Sequence, residues 1–317
     1  VVEKLVEAVQ NPRSHRYSVS RGIPGLRRAN AAYYQRRFGV EIDPDSETIV
    51  TLGSKEGFAN LAMAITSPGD VVLVPNPSYP IHAYGFIIAG GGLRHVPVGP
   101  NIDLLSELEN AVKHSSPTPL ALVLNFPSNP TAQVVNLEFY EKVVAFCREQ
   151  GIYILSDLAY AEIYFDDDEP PPSILQVPGA RDIAVEFTSL SKTYSMPGWR
   201  IGFATGNLYR RRRDVLVESF GRAGWEIPPP SATMFAWAPI PEVYRELGSL
   251  EFSKLLLEEA QVAVSPGNGF GEYGEGYVRI ALVENSQRIQ QAARNMRRFL
   301  SEADRVKEKS RQRAPVS

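Results

Sequence analysis

The run TSLSKTYSMPGWR, residues 188–200, lies between two apolar segments, 183–187 and 201–204. It holds one lysine, Lys192, among hydroxyl side chains, with Arg200 eight residues further on. An amine in that setting suits a Schiff base with a carbonyl cofactor. The ordinary alternative is an exposed loop lysine. What separates the two is whether the chain also supplies partners for a phosphate and an aromatic ring.

Four other segments offer such partners. In Gly53-Ser54-Lys55-Glu56-Gly57 a short strand turns into a helix, so free N–H groups, a hydroxyl and the positive end of the helix dipole meet at one point. A plain serine cap explains that motif equally well. In PNPSYP, 75–80, three prolines hold the loop extended and place Tyr79 rigidly. Asn129 lies in the loop after the apolar run 120–126, and Asp157 and Tyr160 follow the run 152–156. Tyr17, in the Gly- and Pro-punctuated loop 15–25, reads alone as a packing aromatic.

The elements that must position these residues follow from apolar patterning. Strands are predicted over 49–52, 71–74, 120–126, 152–156, 183–187 and 201–204, with helices over 26–38, 54–65 and 137–149. That order describes an α/β fold with a doubly wound, mostly parallel sheet. In such sheets ligands bind outside the carboxyl ends of the strands, so Ser54, Tyr79, Asn129, Asp157 and Lys192 are expected to converge on one crevice. From Tyr209 the pattern changes to helix, strand 233–238, helix 250–259, strand 262–264, strand 277–282 and helix 287–300. This predicts a large domain over 1–208 and a smaller α+β domain over 209–317, whose charged tail from 301 is expected to fray. Gly269, Gly271 and Gly274 satisfy GxGxxG, but a strand rather than a helix follows, which excludes a dinucleotide loop.

Composition narrows the class. With 44% hydrophobic and 22% charged residues, the 317-residue chain has ordinary globular usage. A net charge of −3 argues against a general nucleic-acid binder. The basic run Arg210–Arg213 reads as a solvated helix face. The single cysteine, Cys147, falls on an apolar helical face with Phe139, Val143 and Phe146, and is expected to be a buried structural thiol. Four scattered histidines and one cysteine offer no metal site. No apolar run approaches the ~20 residues of a membrane span, and no signal peptide is visible.

The runs GSKEG, PNPSYP, NFPSNPT, SDLAYAE, SLSKTYSMPGWRIGF and SPGNGFGEYGEGYVRIALVEN, in this order over nearly the whole chain, resemble those of fold-type I aminotransferases of class I/II. These enzymes depend on pyridoxal 5′-phosphate (PLP). NFPSNPTAQ and the VEF before TSLSK are closest in wording to the bacterial glutamate–pyruvate (alanine) aminotransferases, with LL-diaminopimelate aminotransferases as the alternative.

The resemblance implies that Lys192 carries the cofactor and then acts as the base, its pKa lowered by desolvation and by Arg200. It implies that Asp157 pairs with the pyridinium nitrogen and that Asn129 and Tyr160 bond the ring's phenolic oxygen. Tyr79 would stack on the ring, and Ser54, Lys55, Ser189 and Arg200, with Ser191, would hold the phosphate. Arg279 would clasp the substrate α-carboxylate, and Asn129 would also face substrate. Tyr17 would reach the phosphate of a neighbouring subunit, which implies a homodimer; a cytoplasmic location fits the same class. A non-catalytic ligand-sensing module on this fold is the competing reading, and β-elimination or decarboxylation are rival fates for the same carbanion. The family carries more residues than this chain between Gly206-Asn207 and Tyr209, and an N-terminal segment before Val1.

Overall fold

The computed structural model describes residues 1–15, 17, 20–99, 102–165, 169–206, 208–230, 235–282, 284, 286–303 and 305, with backbone alone for 208–211, 286 and 287. The predicted fold is found. Seven strands form one sheet in the order β1-β7-β6-β5-β4-β2-β3: Thr48–Thr51, Gly202–Gly206, Ala184–Ser189, Tyr153–Asp157, Ala121–Asn125, Val71–Asn76 and Gly92–Pro97. The pairs β2–β3, β2–β4, β4–β5 and β5–β6 are parallel, while β7 runs antiparallel to both β6 and β1. After β3 the chain crosses back over β2 to begin β4, so the winding reverses between β2 and β4. That switch point is where a doubly wound sheet leaves a crevice at its carboxyl ends.

Helices α1 (Val2–Gln10), α2 (Pro24–Phe38), α3 (Ser54–Ile65), α4 (Pro80–Ile88), α5 (Leu104–Lys113) and α6 (Leu137–Gln150) accompany this sheet, with the single turn α7 at Leu190–Thr193. The helix α6 shows why local sequence suffices for much of this. The Asn136 side chain accepts from Phe139 N at one end, Gly151 closes the other at φ 72°, and Tyr140, Val143, Val144 and Cys147 form the buried stripe. Burial pushes the Cys147 thiol up to about 12, which fits an inert core thiol.

Three elements escape the apolar pattern. Strand β3 is an edge strand with one fully buried side chain, Val96, so its alternation is faint. Helix α4 begins inside the proline-rich run: Pro80 occupies the first helical turn, where its missing N–H costs nothing. Helix α5 starts on an Asp103 cap that accepts from Leu105 N.

A second, antiparallel sheet has the order β8-β10-β9, formed by Phe235–Pro239, Tyr277–Ala281 and Ser265–Pro266. Helices α8 (Leu208–Arg222), α9 (Gly248–Ala260) and α10 (Ser286–Ser301) pack on it around Phe220, Trp225, Phe252, Leu256, Met296 and Phe299. The predicted strand 262–264 is corrected. Pairing with β10 occurs at Ser265 and Pro266, just beyond the predicted run, and Val262 instead packs into the core.

The basic run is corrected too. Arg212 is fully buried, its Nε donating to Tyr153 Oη at 3.0 Å and its Nη1 to the Leu282 carbonyl at 2.9 Å. Arg212 thus ties the start of β5 to the end of β10, and Arg288 adds an ion pair to Asp70 at 3.3 Å. The side chains of Arg210 and Arg211, residue 207 at the shortened junction, and the tail from 306 lie outside the described residues.

Candidate active site

The loop between antiparallel β6 and β7 brings Lys192 and Arg200 together. Leu190 N donates to the Ile201 carbonyl at 3.1 Å, closing the loop at its base. At the end of β6, Ser189 caps α7 by accepting from Ser191 N. At the far side, Arg200 adopts a left-handed conformation, φ 53°, unusual for a residue with a Cβ. Its guanidinium lies against Gly53, with Nη1 on the Pro197 carbonyl at 3.1 Å and Nη2 on the Leu52 carbonyl at 3.4 Å.

Two glycines make this approach possible. A Cβ on Gly53, which sits at φ +85°, would lie 2.1 Å from Arg200 Nη2. A Cβ on Gly202 would lie 2.4 Å from Ser54 N. The amino end of the twelve-residue α3 is therefore pressed against β7 and the arginine. Free N–H groups, Ser54, Lys55 and Arg200 make a cationic anion site.

Across the crevice Asp157 ends β5 with its side chain largely buried. Oδ1 accepts from Ala159 N at 3.2 Å, and Oδ2 is paired with His82 Nε2 at 2.9 Å. The His82 ring is fully buried, packed on Phe58 and Tyr79, and its Nδ1 has no hydrogen-bond partner among the described residues. With a carboxylate as its acceptor, Nε2 carries the proton. Asn125, at the end of β4, joins neighbouring loops: its Nδ2 donates to the Asp157 carbonyl at 3.0 Å and its Oδ1 accepts from Asn129 N at 2.9 Å. Asn129 Nδ2 reaches Tyr160 Oη at 3.5 Å.

All ten residues expected to bind a cofactor in the large domain line one cavity of about 280 Å³: Ser54, Lys55, Tyr79, Asn129, Asp157, Tyr160, Ser189, Ser191, Lys192 and Arg200. Asn125 and Ala159 complete the wall. The sequence missed His82 and Asn125. Their only signal is a polar residue in an otherwise apolar segment, which the fold alone turns into a contact. A larger, shallower depression of about 550 Å³ beside α2 is lined by Glu41, Asp43, Glu47 and Arg181, and Glu47 is occupied by Arg181 and Asp43 N.

Three of the expected residues stand apart from the buried wall of the cavity. Lys192 is exposed at the cavity wall, so the chain's own packing does not desolvate it. Its Nζ lies 5.7 Å from the Tyr160 ring centre. Arg279 does not line the cavity. It sits on β10, with its guanidinium carbon 4.3 Å from the Phe235 ring centre and 4.6 Å from that of Phe270. Tyr17 is fully exposed and also stands outside the cavity.

The residues present fit PLP. Ser191 Oγ is buried without a hydrogen-bond partner among the described residues, beside the cationic end of α3. The Gly53–Gly202 cradle is closed to any Cβ, and the anionic Asp157 faces a cavity that could hold a protonated ring nitrogen. A mostly parallel sheet with an anion site, a lysine and a buried carboxylate at the carboxyl ends of its strands fits a PLP-binding enzyme of fold type I.

The comparisons with known proteins agree. The family model "Aminotransferase class I and II" matches residues 1–210 and 207–296. The putative aminotransferase AatC of Rhizobium meliloti is 60% identical over 346 aligned positions, covering 96% of this chain and 85% of that protein. The glutamate-pyruvate aminotransferase AlaC of Escherichia coli is 50% identical, covering 94% and 82%. Among solved structures, a probable N-succinyldiaminopimelate aminotransferase from Thermus thermophilus superposes with a TM-score of 0.60 at 30% identity, covering 94% of this chain and 90% of that one. The chain belongs to the class I and II aminotransferases, a PLP-dependent family of transaminases. Its two family matches meet at 207–210, and the 346-position alignment is longer than the 317-residue chain, so relatives carry residues that are lacking here. No helix among the described residues is long and apolar enough to cross a membrane.

Proposed function

We propose that the chain transfers the amino group of glutamate to pyruvate, and the reverse, with Lys192, Asp157 and Tyr160 as catalytic residues. The observation that carries the catalytic assignment is the convergence of Lys192, Asp157 and the anion site on one cavity. The substrate pair is supported by the 50% identity to the Escherichia coli glutamate-pyruvate enzyme, against 36% to the LL-diaminopimelate aminotransferase of Moorella thermoacetica.

Bound PLP supplies an electron sink for the bond broken at the substrate Cα. Ser54, Lys55, Ser189, Ser191 and Arg200 bind its phosphate, and Tyr79 covers its ring. Asp157, whose carboxylate accepts from His82 and Ala159 N, would pair with the ring nitrogen. Asn129 and Tyr160 orient the ring through its phenolic oxygen. Lys192 Nζ takes the proton from Cα, and Arg279 binds the α-carboxylate in a bidentate pair, with Asn129 on the same side.

The large domain spans 1–208 and the smaller 209–317 in this reading, which the two separate cores support. Tyr17 reaches a second subunit of a homodimer. Its full exposure supports this, as does α1, which has no buried residue and exposes Leu5, Val6 and Val9. A cytoplasmic location belongs to the same reading.

The test is to present amino acids singly to the PLP-loaded protein and follow the cofactor's absorption, then supply 2-oxo acids. Glutamate and alanine should change the spectrum and pyruvate and 2-oxoglutarate should restore it. A response to LL-diaminopimelate with none to alanine favours the alternative substrate. Keto-acid release beyond one equivalent per bound cofactor, without any acceptor, would count against transamination. Light scattering decides the dimer.

A further inference from the structure

The glycine-rich run 267–276, excluded above as a dinucleotide loop, has a shape of its own. Its stem is pinched: a Cβ on Gly267 would lie 2.0 Å from the Gly274 carbonyl oxygen, and one on Gly274 equally close to that of Gly267. Between them two 3-10 turns, Gly267–Phe270 and Glu272–Gly274, meet at Gly271 with φ +122°, a conformation suited to glycine. The result is a narrow loop that carries Phe270 at its tip, 53% exposed, instead of burying it in the core.

The Phe270 ring covers Arg279. The guanidinium carbon lies 4.6 Å from its centre and 4.3 Å from that of Phe235 on β8. The Phe270 ring meets Trp237 edge-on at 5.9 Å, and Trp237 stacks on Tyr277 at 5.6 Å, so an aromatic array backs the loop. Two rings against one guanidinium remove water from it and fix its orientation, which leaves its N–H edges for hydrogen bonding. Those edges are only partly used. Nη2 donates to Ser265 Oγ at 3.3 Å, and Nε is buried with no hydrogen-bond partner among the described residues.

We propose that Phe270, delivered by the pinched glycine loop and assisted by Phe235, is the positioning residue that presets Arg279 for the substrate α-carboxylate. The inference rests on the reading of Arg279 as the carboxylate clamp. An arginine already stripped of water and held in one orientation loses less freedom when the carboxylate docks, so affinity for carboxylate ligands depends on the ring at 270. Phe270 and Arg279 belong to the same small sheet and its loop, so they move together wherever that sheet goes.

The experiment uses the PLP-loaded protein and two probes: 2-methylalanine, which has a carboxylate but no Cα hydrogen to lose, and isopropylamine, which lacks the carboxylate. Binding is read from the cofactor's absorption. Phe270→Leu should weaken 2-methylalanine by about five- to twentyfold and leave isopropylamine unchanged. The affinity of the apoprotein for PLP should stay the same. Phe270→Tyr, which restores a ring, should bind both probes as the parent does. Phe235→Leu repeats the test from the second ring should the loop variant fail to fold. Parent-like binding of 2-methylalanine by both leucine variants overturns the proposal, as does a Phe270→Tyr protein as weak as Phe270→Leu. Arg279→Lys separates the two levels. If it binds 2-methylalanine normally, the clamp assignment itself is wrong; if it binds weakly while the leucine variants do not, only the role of the rings is.

Discussion

Strands β5 and β6 carry two buried carboxylates that meet opposite fates. Glu186 is fully buried, and both its oxygens are occupied. Oε1 accepts from Tyr34 Oη at 3.0 Å and Ser173 Oγ at 2.5 Å, and Oε2 accepts from Ser156 Oγ at 3.2 Å and Ile174 N at 3.1 Å. Asp157, next to Ser156 on the same strand, receives donors from His82 and Ala159 N and still faces a cavity. Strand alternation sends neighbours such as Ser156 and Asp157 to opposite faces of the sheet. One face therefore holds a completed polar network that serves the fold. The other holds an incomplete one that needs a ligand. A buried charge alone does not mark a site; what marks it is remaining hydrogen-bonding capacity turned towards open space.

The contrast can be broken in several ways. Lys192→Ala should reduce amino transfer by at least about a thousandfold while leaving the melting temperature near that of the parent. Normal turnover in that variant removes the cavity from consideration. Asp157→Asn should lower turnover by about a hundredfold, with little change in unfolding by urea. Glu186→Ala should do the reverse, costing about 3 kcal/mol of stability by stranding buried donors while activity per folded molecule persists. If both carboxylates affect stability alike, the distinction fails.

A pH series sharpens the comparison. Burial pushes Glu186 up to about 7 from its ordinary 4.5, although its four hydrogen bonds pull the other way. Because the folded value lies above the unfolded one, its contribution is fully present below about 4.5 and is lost as pH rises towards 7. By linkage this amounts to about 3 kcal/mol. Glu186→Gln does not titrate, so its stability relative to the parent should rise over that window and then level off. A flat difference between pH 4.5 and 7 contradicts the assignment. The smallest effect expected is that of His82→Phe, which keeps a buried ring but removes the donor to Asp157. Apoprotein affinity for PLP should fall about tenfold, measured by absorbance titration.

Much of this was legible in order along the chain. The strands that end at Asn125, Asp157 and Ser189 are short apolar runs, and polar residues follow each of them. Such patterns are local, so Ser54, Asn129, Asp157, Tyr160 and Lys192 could be assigned to strand ends before any contact was known. The edge strand β3 left no such trace, because one buried side chain cannot create a visible period. Helix α4 was hidden by prolines that look like loop residues but also tolerate a helix start.

The amino-acid sequence by itself determined most strands of the large sheet and most residues around the cavity, which depend on residue types at short, fixed spacings, and, through the resemblance of its ordered motifs, the family and cofactor class. Only the tertiary structure decided that His82 supports Asp157 from 75 residues away, that Arg212 is buried rather than solvated, and that Arg279 lies under Phe270 outside the cavity. Those are contacts between distant segments, and which of several polar side chains meets a given partner is settled by packing geometry that no local period records.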